Sequence, residues 1–123
     1  MNLGWHFLWV GLGGAAGSML RLAVSLAWPA GRLPWGTMTA NVVGSLIIGL
    51  VLGRLGPMSA DNHHWHGLLV VGFCGGFTTF SSFSWHTLEQ LRNGQPGIAL
   101  LHVLLSVVVC LLATWVGWRL GRV

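Results

Sequence analysis

Four apolar stretches, each long enough to cross a bilayer, constrain this chain more than any other feature. They run over residues 3–28, 36–55, 65–91 and 97–120. A helix needs about 20 mostly apolar residues to span the hydrocarbon core. The breaks between the stretches hold Pro29, Pro34, Pro57, Asn93 and Pro96 in short loops. Charged residues make up 7% of the chain and hydrophobic ones 54%, against about 25% charged in an ordinary soluble domain. The surface a soluble protein would cover with charge must therefore face lipid. Eight tryptophans and no tyrosine fit that reading, since Trp favours the membrane–water boundary. Trp5, Trp9, Trp28, Trp35, Trp65, Trp115 and Trp118 all lie near span ends. The expectation is an all-α integral membrane protein: residues 1–123 form a single transmembrane domain, in which the first apolar run is a retained helix and not a signal peptide.

The formal charge of +4 does not point to nucleic acid. The six arginines are scattered singly, and no basic run exists to follow a phosphate backbone. Cys74 and Cys110 lie inside apolar stretches without the spacing of a metal or redox pair. Orientation in a membrane follows arginine placement. Arg54, Arg119 and Arg122 fall on one side, and Arg32, Arg92 and Arg21 on the other. Such balance gives the insertion machinery little instruction, and one outcome is a chain that inserts both ways and pairs with its own inverted copy.

The third stretch is unusual within. It reads Gly72-Phe-Cys-Gly-Gly-Phe-Thr-Thr-Phe-Ser-Ser-Phe-Ser84, with three glycines and five hydroxyls at membrane depth. This composition predicts a broken helix, which is tolerated only where protein or a cavity surrounds the freed backbone groups. Gly13 and Gly17, Gly49 and Gly53, and Gly72 and Gly76 form small-xxx-small faces that permit close helix packing. Thr37, Asn41 and Ser45 share one stripe of the second span. The Asn41 amide needs partners there, either an interhelical hydrogen bond or an anion. In the fourth span His102, Ser106, Cys110 and Thr114 recur every four residues and form a candidate polar track; the alternative is that the hydroxyls bond their own helix. Phe80 and Phe83 stand among the hydroxyls, and ring edges carry partial positive charge that suits a small anion. Arg21, deep in the first span, must snorkel, pair, or border a wet cavity. His63, His64 and His66, beside Asp61, lack firm metal-site spacing and read as interfacial or solvent-exposed histidines.

These segments resemble, along nearly the whole chain, the Fluc/CrcB family of fluoride channels. Three motifs occur in order: Gly13-Gly14 with Gly17 and Arg21; Gly36-Thr37 with Asn41 and Gly44; and residues 72–84. The resemblance implies an antiparallel, dual-topology homodimer in the cell (inner) membrane, passing F⁻ passively outward and so lowering cytoplasmic fluoride. It implies that Asn41 orients the pore phenylalanines Phe80 and Phe83, whose ring edges face fluoride. Ser81, Cys110 and Thr114 would lie on the polar track, and Arg21 in a vestibule. Backbone carbonyls of Gly75 and Thr78 would hold a structural Na⁺ between the subunits. Where the family often carries a glutamate, three residues after the second phenylalanine, this chain has His86, with Glu89 three further on. The partners implied are fluoride, a second inverted copy and the lipid bilayer. The rival reading is a proton-coupled small multidrug exporter, which needs a carboxylate in the first span; that span has neither Asp nor Glu. An enzyme is not expected, since no nucleophile elbow is present and Asp61 and Glu89 lie near opposite faces.

Overall fold

The computed structural model describes residues 2–29 and 31–123, and within these all regular structure is helical. Helix α1 (Leu3–Ala27) is capped by Asn2, whose side chain accepts from the Gly4 amide at 3.0 Å. Helix α1 stops where Trp28, extended before Pro29, cannot continue it, and α2 (Trp35–Leu55) starts directly after Pro34. The third span is composite. Its first half, α3 (residues 63–77), opens with one α turn (His63–Trp65), continues as π-helix over His66–Cys74, and closes with an α turn (Gly75–Phe77). Thr78 and Thr79 are extended, with φ/ψ of −87°/158° and −152°/121°. Helix α4 (Phe80–Arg92) then restarts, and α5 (Pro96–Gly121) carries proline in its first turn, where no amide is needed.

Four segments are thus long and apolar enough to cross a membrane: Leu3–Ala27, Trp35–Leu55, His63–Arg92 and Pro96–Gly121. They coincide with the four expected stretches, and the third is broken where expected. This is a multi-pass membrane protein. Its outer surface carries the large apolar side chains, among them most of the tryptophans at the span ends.

The glycines explain how the spans approach. A Cβ on Gly13 would strike the Leu68 carbonyl, and one on Gly17 the Phe73 carbonyl, so α1 and α3 lie backbone to backbone. A second seam joins α2 to α5. Gly49 sits on the Thr114 carbonyl, and Gly117 on the Leu46 carbonyl. The Gly117–Gly121 pair supplies the facing half of this seam. It has the same four-residue spacing as the glycine pairs recognised in the sequence. Close backbone packing of this kind replaces the hydrophobic drive that is absent in lipid.

The π-helical stretch was not foreseen. Apolar composition is alike for α and π backbone, and the wider turn is costly enough to occur only with tertiary support. The support is α1: Gly72 packs with its Cα position against the Val10 carbonyl and the Gly13 backbone.

Candidate ion pathway

The break in the third span is held by one side chain. Asn41 Nδ2 donates to the Thr79 carbonyl at 3.1 Å, and its Oδ1 accepts from the Thr79 amide at 2.7 Å. Both backbone groups of an extended residue at membrane depth are thereby satisfied. Of the two readings of Asn41, the structure shows the interhelical bond. Thr79 in turn caps α4, its Oγ1 accepting from Ser82 N at 3.1 Å. The residue after this clamp is Phe80. Its ring lies 5.4 Å from that of Phe83, centroid to centroid, with the planes tilted by 38°.

On the other flank of the break, Arg21 Nε donates to the Gly76 carbonyl at 3.0 Å. A guanidinium at the last turn of α3 faces the negative end of that helix, which offsets the cost of holding it in the span. Arg21 therefore pairs. Its removal from the loop tally leaves three arginines on one side and two on the other, still close to balance.

The carbonyls of Gly75 and Thr78 accept no hydrogen bond from any described residue; the Thr79 amide that would reach Gly75 goes to Asn41 instead, and Thr78 donates its hydroxyl and amide back to Cys74. Free carbonyl oxygens at the C-terminal end of a half-helix are a donor set that suits a small hard cation. The chemistry of the residues present fits such an ion.

A cavity of about 410 Å³ opens at the break. It brings together Asn41, Gly75, Thr78, Phe80, Phe83 and Cys110, along with Ser45 and Ser106 of the two polar stripes. No charged side chain lines it. Ser81, Thr114 and Arg21 stand outside this lining. Ser81 is exposed and shares a 3.2 Å hydrogen bond with Thr79 Oγ1. Thr114 lies where the α2–α5 seam closes over Gly49.

A second cavity, of about 590 Å³, lies at the end where α1, α2, α4 and α5 meet the loops. Arg32, Thr37, His86, Glu89 and Gln90 line it. His86 replaces the expected glutamate but keeps one close by: its Nδ1 is 3.2 Å from Glu89 Oε2, and its Nε2 is 3.3 Å from Thr37 Oγ1. Between the two cavities stands His102, with 0% exposure. Its ring packs 5.0 Å from Phe83, and its Nδ1 lies 3.2 Å from both Gln90 Oε1 and Thr87 Oγ1. The four-residue spacing in the sequence had already put His102 beside Ser106. Gln90 and Thr87 were missed, because a lone Gln or Thr near a helix end carries no periodic signal.

The histidines at the opposite end do not gather a metal-ligand set among the described residues. His63 Nδ1 bonds the Ala60 carbonyl at 2.7 Å, and His66 Nε2 the Gly56 carbonyl at 3.0 Å. His66, expected to be interfacial or solvent-exposed, is buried, because it ties the α2–α3 loop to the start of the π-helix.

Comparison with known proteins agrees with this geometry. The family described as "CrcB-like protein, Camphor Resistance (CrcB)" matches residues 8–118. A protein of Magnetococcus marinus is 40% identical over 117 residues, covering 93% of this chain and 95% of its own. One of Thermus thermophilus is 45% identical over 120 residues, covering 94% and 93%. One of Methylobacterium radiotolerans is 46% identical over 114 residues, covering 86% and 77%. Each of the three is named a fluoride-specific ion channel, FluC. With its broken third span, its Asn41 clamp and a family match over most of its length, the chain belongs to the CrcB-like family.

Proposed function

We propose that this protein is a fluoride-selective channel, working as an inverted homodimer that lets F⁻ leave the cell passively. The observation that carries this reading is the cavity at the break, lined by neutral donors and aromatic rings and by no charge. Fluoride is small and tightly hydrated. A pore must replace its water with several weak donors, because one strong cationic trap would bind the ion without releasing it. Phenyl edges of Phe80 and Phe83, the Ser106 hydroxyl and the Cys110 thiol form such a graded set in the cavity, and Thr114 continues the same row of α5 beyond it. Ser81, exposed beside Phe80, extends it on the side open to a partner. The start of α4, whose Ser82 amide is capped by Thr79, adds the partial positive charge of a helix N-terminus for an anion. Asn41 acts through the backbone, by fixing Thr79 and so the direction in which Phe80 leaves the break. Arg21 and Arg32 contribute positive potential toward the two mouths without lining the neutral cavity.

A second copy is required by the same physics. Gly75 and Phe80 are exposed in the single chain, Phe80 to 79%, at the depth where the backbone is irregular. Irregular backbone facing lipid leaves polar groups unsatisfied at several kcal/mol each. A partner subunit would cover them. Two free carbonyls are too few for a cation, but an inverted copy brings Gly75 and Thr78 twice. We assign a structural Na⁺ to these four oxygens; when bound it supplies a fixed positive charge that joins the subunits. The near-balance of arginines supports insertion in both orientations.

Export needs no energy input. HF crosses membranes as a neutral acid and dissociates inside. The anion is then driven outward by a potential worth about 2.3 kcal/mol per charge for each 100 mV. Neither acid in the chain lies in α1, so no feature favours proton-coupled drug export. The reading is tested by expressing the gene in a bacterial host stripped of its own fluoride export. Growth in fluoride should be restored, and the intracellular fluoride level should fall. Unchanged sensitivity, with the protein present in the membrane, would refute it.

A further inference from the structure

One face of α5 takes no part in either cavity and points away from the rest of the protein. Trp115, Trp118, Arg119 and Arg122 fall at i, i+3, i+4 and i+7, so they form a single stripe near the end of the helix. Val108, Leu111 and Leu112 carry the same stripe toward mid-span. All of these residues are exposed. Gly117 and Gly121, which meet α2, and Ser106 and Cys110, which line the inner cavity, occupy the opposite side of the helix. Among the described elements α5 packs on α2 and α4 alone. Trp118, at the edge of the stripe, meets Gly53 of α2 with its backbone and remains exposed.

The two arginines are held but not neutralised. Each leans back one turn onto a tryptophan, Arg119 with its guanidinium carbon 5.7 Å from the Trp115 ring centroid and Arg122 at 4.6 Å from that of Trp118. A guanidinium lying on a ring keeps its in-plane N–H donors free, and these match pairs of phosphate oxygens. Arg21 and Arg54 spend donors on the carbonyls of Gly76 and Val123. Arg119 and Arg122 have neither a carboxylate nor a side-chain hydrogen-bond partner among the described residues. Asp61, the one acid at this end of the molecule, precedes α3, a helix that α5 does not touch.

Arg119 stands in the last turn of α5 and Arg122 caps it, where a spanning helix passes from hydrocarbon into the headgroup layer. From mid-span outward the stripe thus reads aliphatic, aromatic, cationic, which is the order of an acyl chain, a glycerol ester and a phosphate. A zwitterionic headgroup brings its own cation, which would find no acid on this stripe. An anionic headgroup brings none. We propose that this face of α5 is a binding site for an anionic phospholipid, its phosphate held by Arg119 and Arg122, its glycerol region against Trp115 and Trp118, and an acyl chain along Val108, Leu111 and Leu112. The site is independent of what the channel conducts. In an inverted pair, the two copies would offer it to opposite leaflets.

The test uses protein purified in detergent and stripped of native lipid. It is titrated with dioleoyl phosphatidylglycerol or with dioleoyl phosphatidylcholine, and bound lipid is counted by native mass spectrometry. One arginine at a membrane surface is worth about fivefold in affinity for an anionic lipid, so two should make the anionic lipid bind at about 25-fold lower concentration. Arg119→Gln combined with Arg122→Gln should erase this preference, while Arg92→Gln, which removes an exposed arginine at the opposite end, should keep it. Trp115→Leu combined with Trp118→Leu retains both charges but releases the guanidinium groups, and should weaken the preference. Should the double arginine variant not elute as the parent does, Arg122→Gln alone reads the same contrast, at about fivefold. Phosphatidylglycerol should also raise the melting temperature of the parent and not that of the double arginine variant. Glycerol 3-phosphate, which has the anion without the chains, should raise neither. Equal binding of the two lipids by the parent would overturn the site, as would a preference that survives loss of both arginines. Loss of the preference in Arg92→Gln would reduce it to overall positive charge and overturn it equally. A double arginine variant that runs as a monomer with parental lipid preference would give the stripe to a second copy of the chain instead.

Discussion

Asn41 satisfies both backbone groups of Thr79 with one amide, and each half of that amide has a separate job. Asn41→Asp keeps the acceptor for the Thr79 amide and sets a second oxygen against the Thr79 carbonyl. Loss of a buried partner costs about 1–3 kcal/mol, more when charge is involved. The variant should therefore unfold at lower denaturant concentration in detergent, and it should lose fluoride flux because Phe80 is no longer aimed. Phe80→Ile and Phe83→Ile separate aim from chemistry. Ile fills a similar apolar volume but has no positively polarised edge. Each should retain the fold, judged by its unchanged elution in detergent, while fluoride efflux falls by about tenfold or more, the effect of losing ~1.4 kcal/mol of ion stabilisation. Parental rates in both variants would move the burden to the hydroxyl row. Much of this was legible in the sequence: Asn41, Phe80, Phe83, Gly75, Thr78 and Cys110 do share one cavity. Partnerships that join distant positions were not. Arg21 finding Gly76 across 55 residues depends on where α1 meets the end of α3, and no local pattern encodes it.

Among elements, the spans are legible because apolar length is a strong one-dimensional signal, and the break because glycine and hydroxyl side chains at membrane depth defeat a continuous helix. The π-helical half of the third span left no such trace, since it is imposed by the contact with α1. The α2–α5 seam tests the account of helix approach. Gly117→Val places a branched side chain on the Leu46 carbonyl, a backbone atom that cannot step aside. Overpacking of this kind costs about 1–3 kcal/mol. The variant should give less folded protein in the membrane and a lower melting temperature in detergent, whereas Gly97→Ala, at an open position in the first turn of α5, should behave as the parent. At the far end of α5 the arginines are anchored on their own helix, with Arg119 5.7 Å from the Trp115 ring centroid and Arg122 4.6 Å from that of Trp118. These pairs hold charge at the interface on one side, which is the side counted for orientation.

For the whole molecule the decisive property is that a single chain leaves Gly75 and Phe80, on either side of the break, uncovered at mid-span. The inverted copy proposed above would answer this, and the arginine distribution permits it. A cysteine placed in the loop between α1 and α2 should react with an impermeant reagent from both sides of sealed vesicles, and two arginines added at the C-terminus should bias insertion and depress activity. Labelling from one side alone would exclude inversion. The central claim, though, concerns what the neutral cavity at the break conducts. The direct measurement is the initial rate of fluoride and of chloride efflux from liposomes loaded with both ions and holding the purified protein. Fluoride should leave rapidly while chloride stays at the rate of protein-free vesicles; equal release of both ions, or release of neither, would contradict the account.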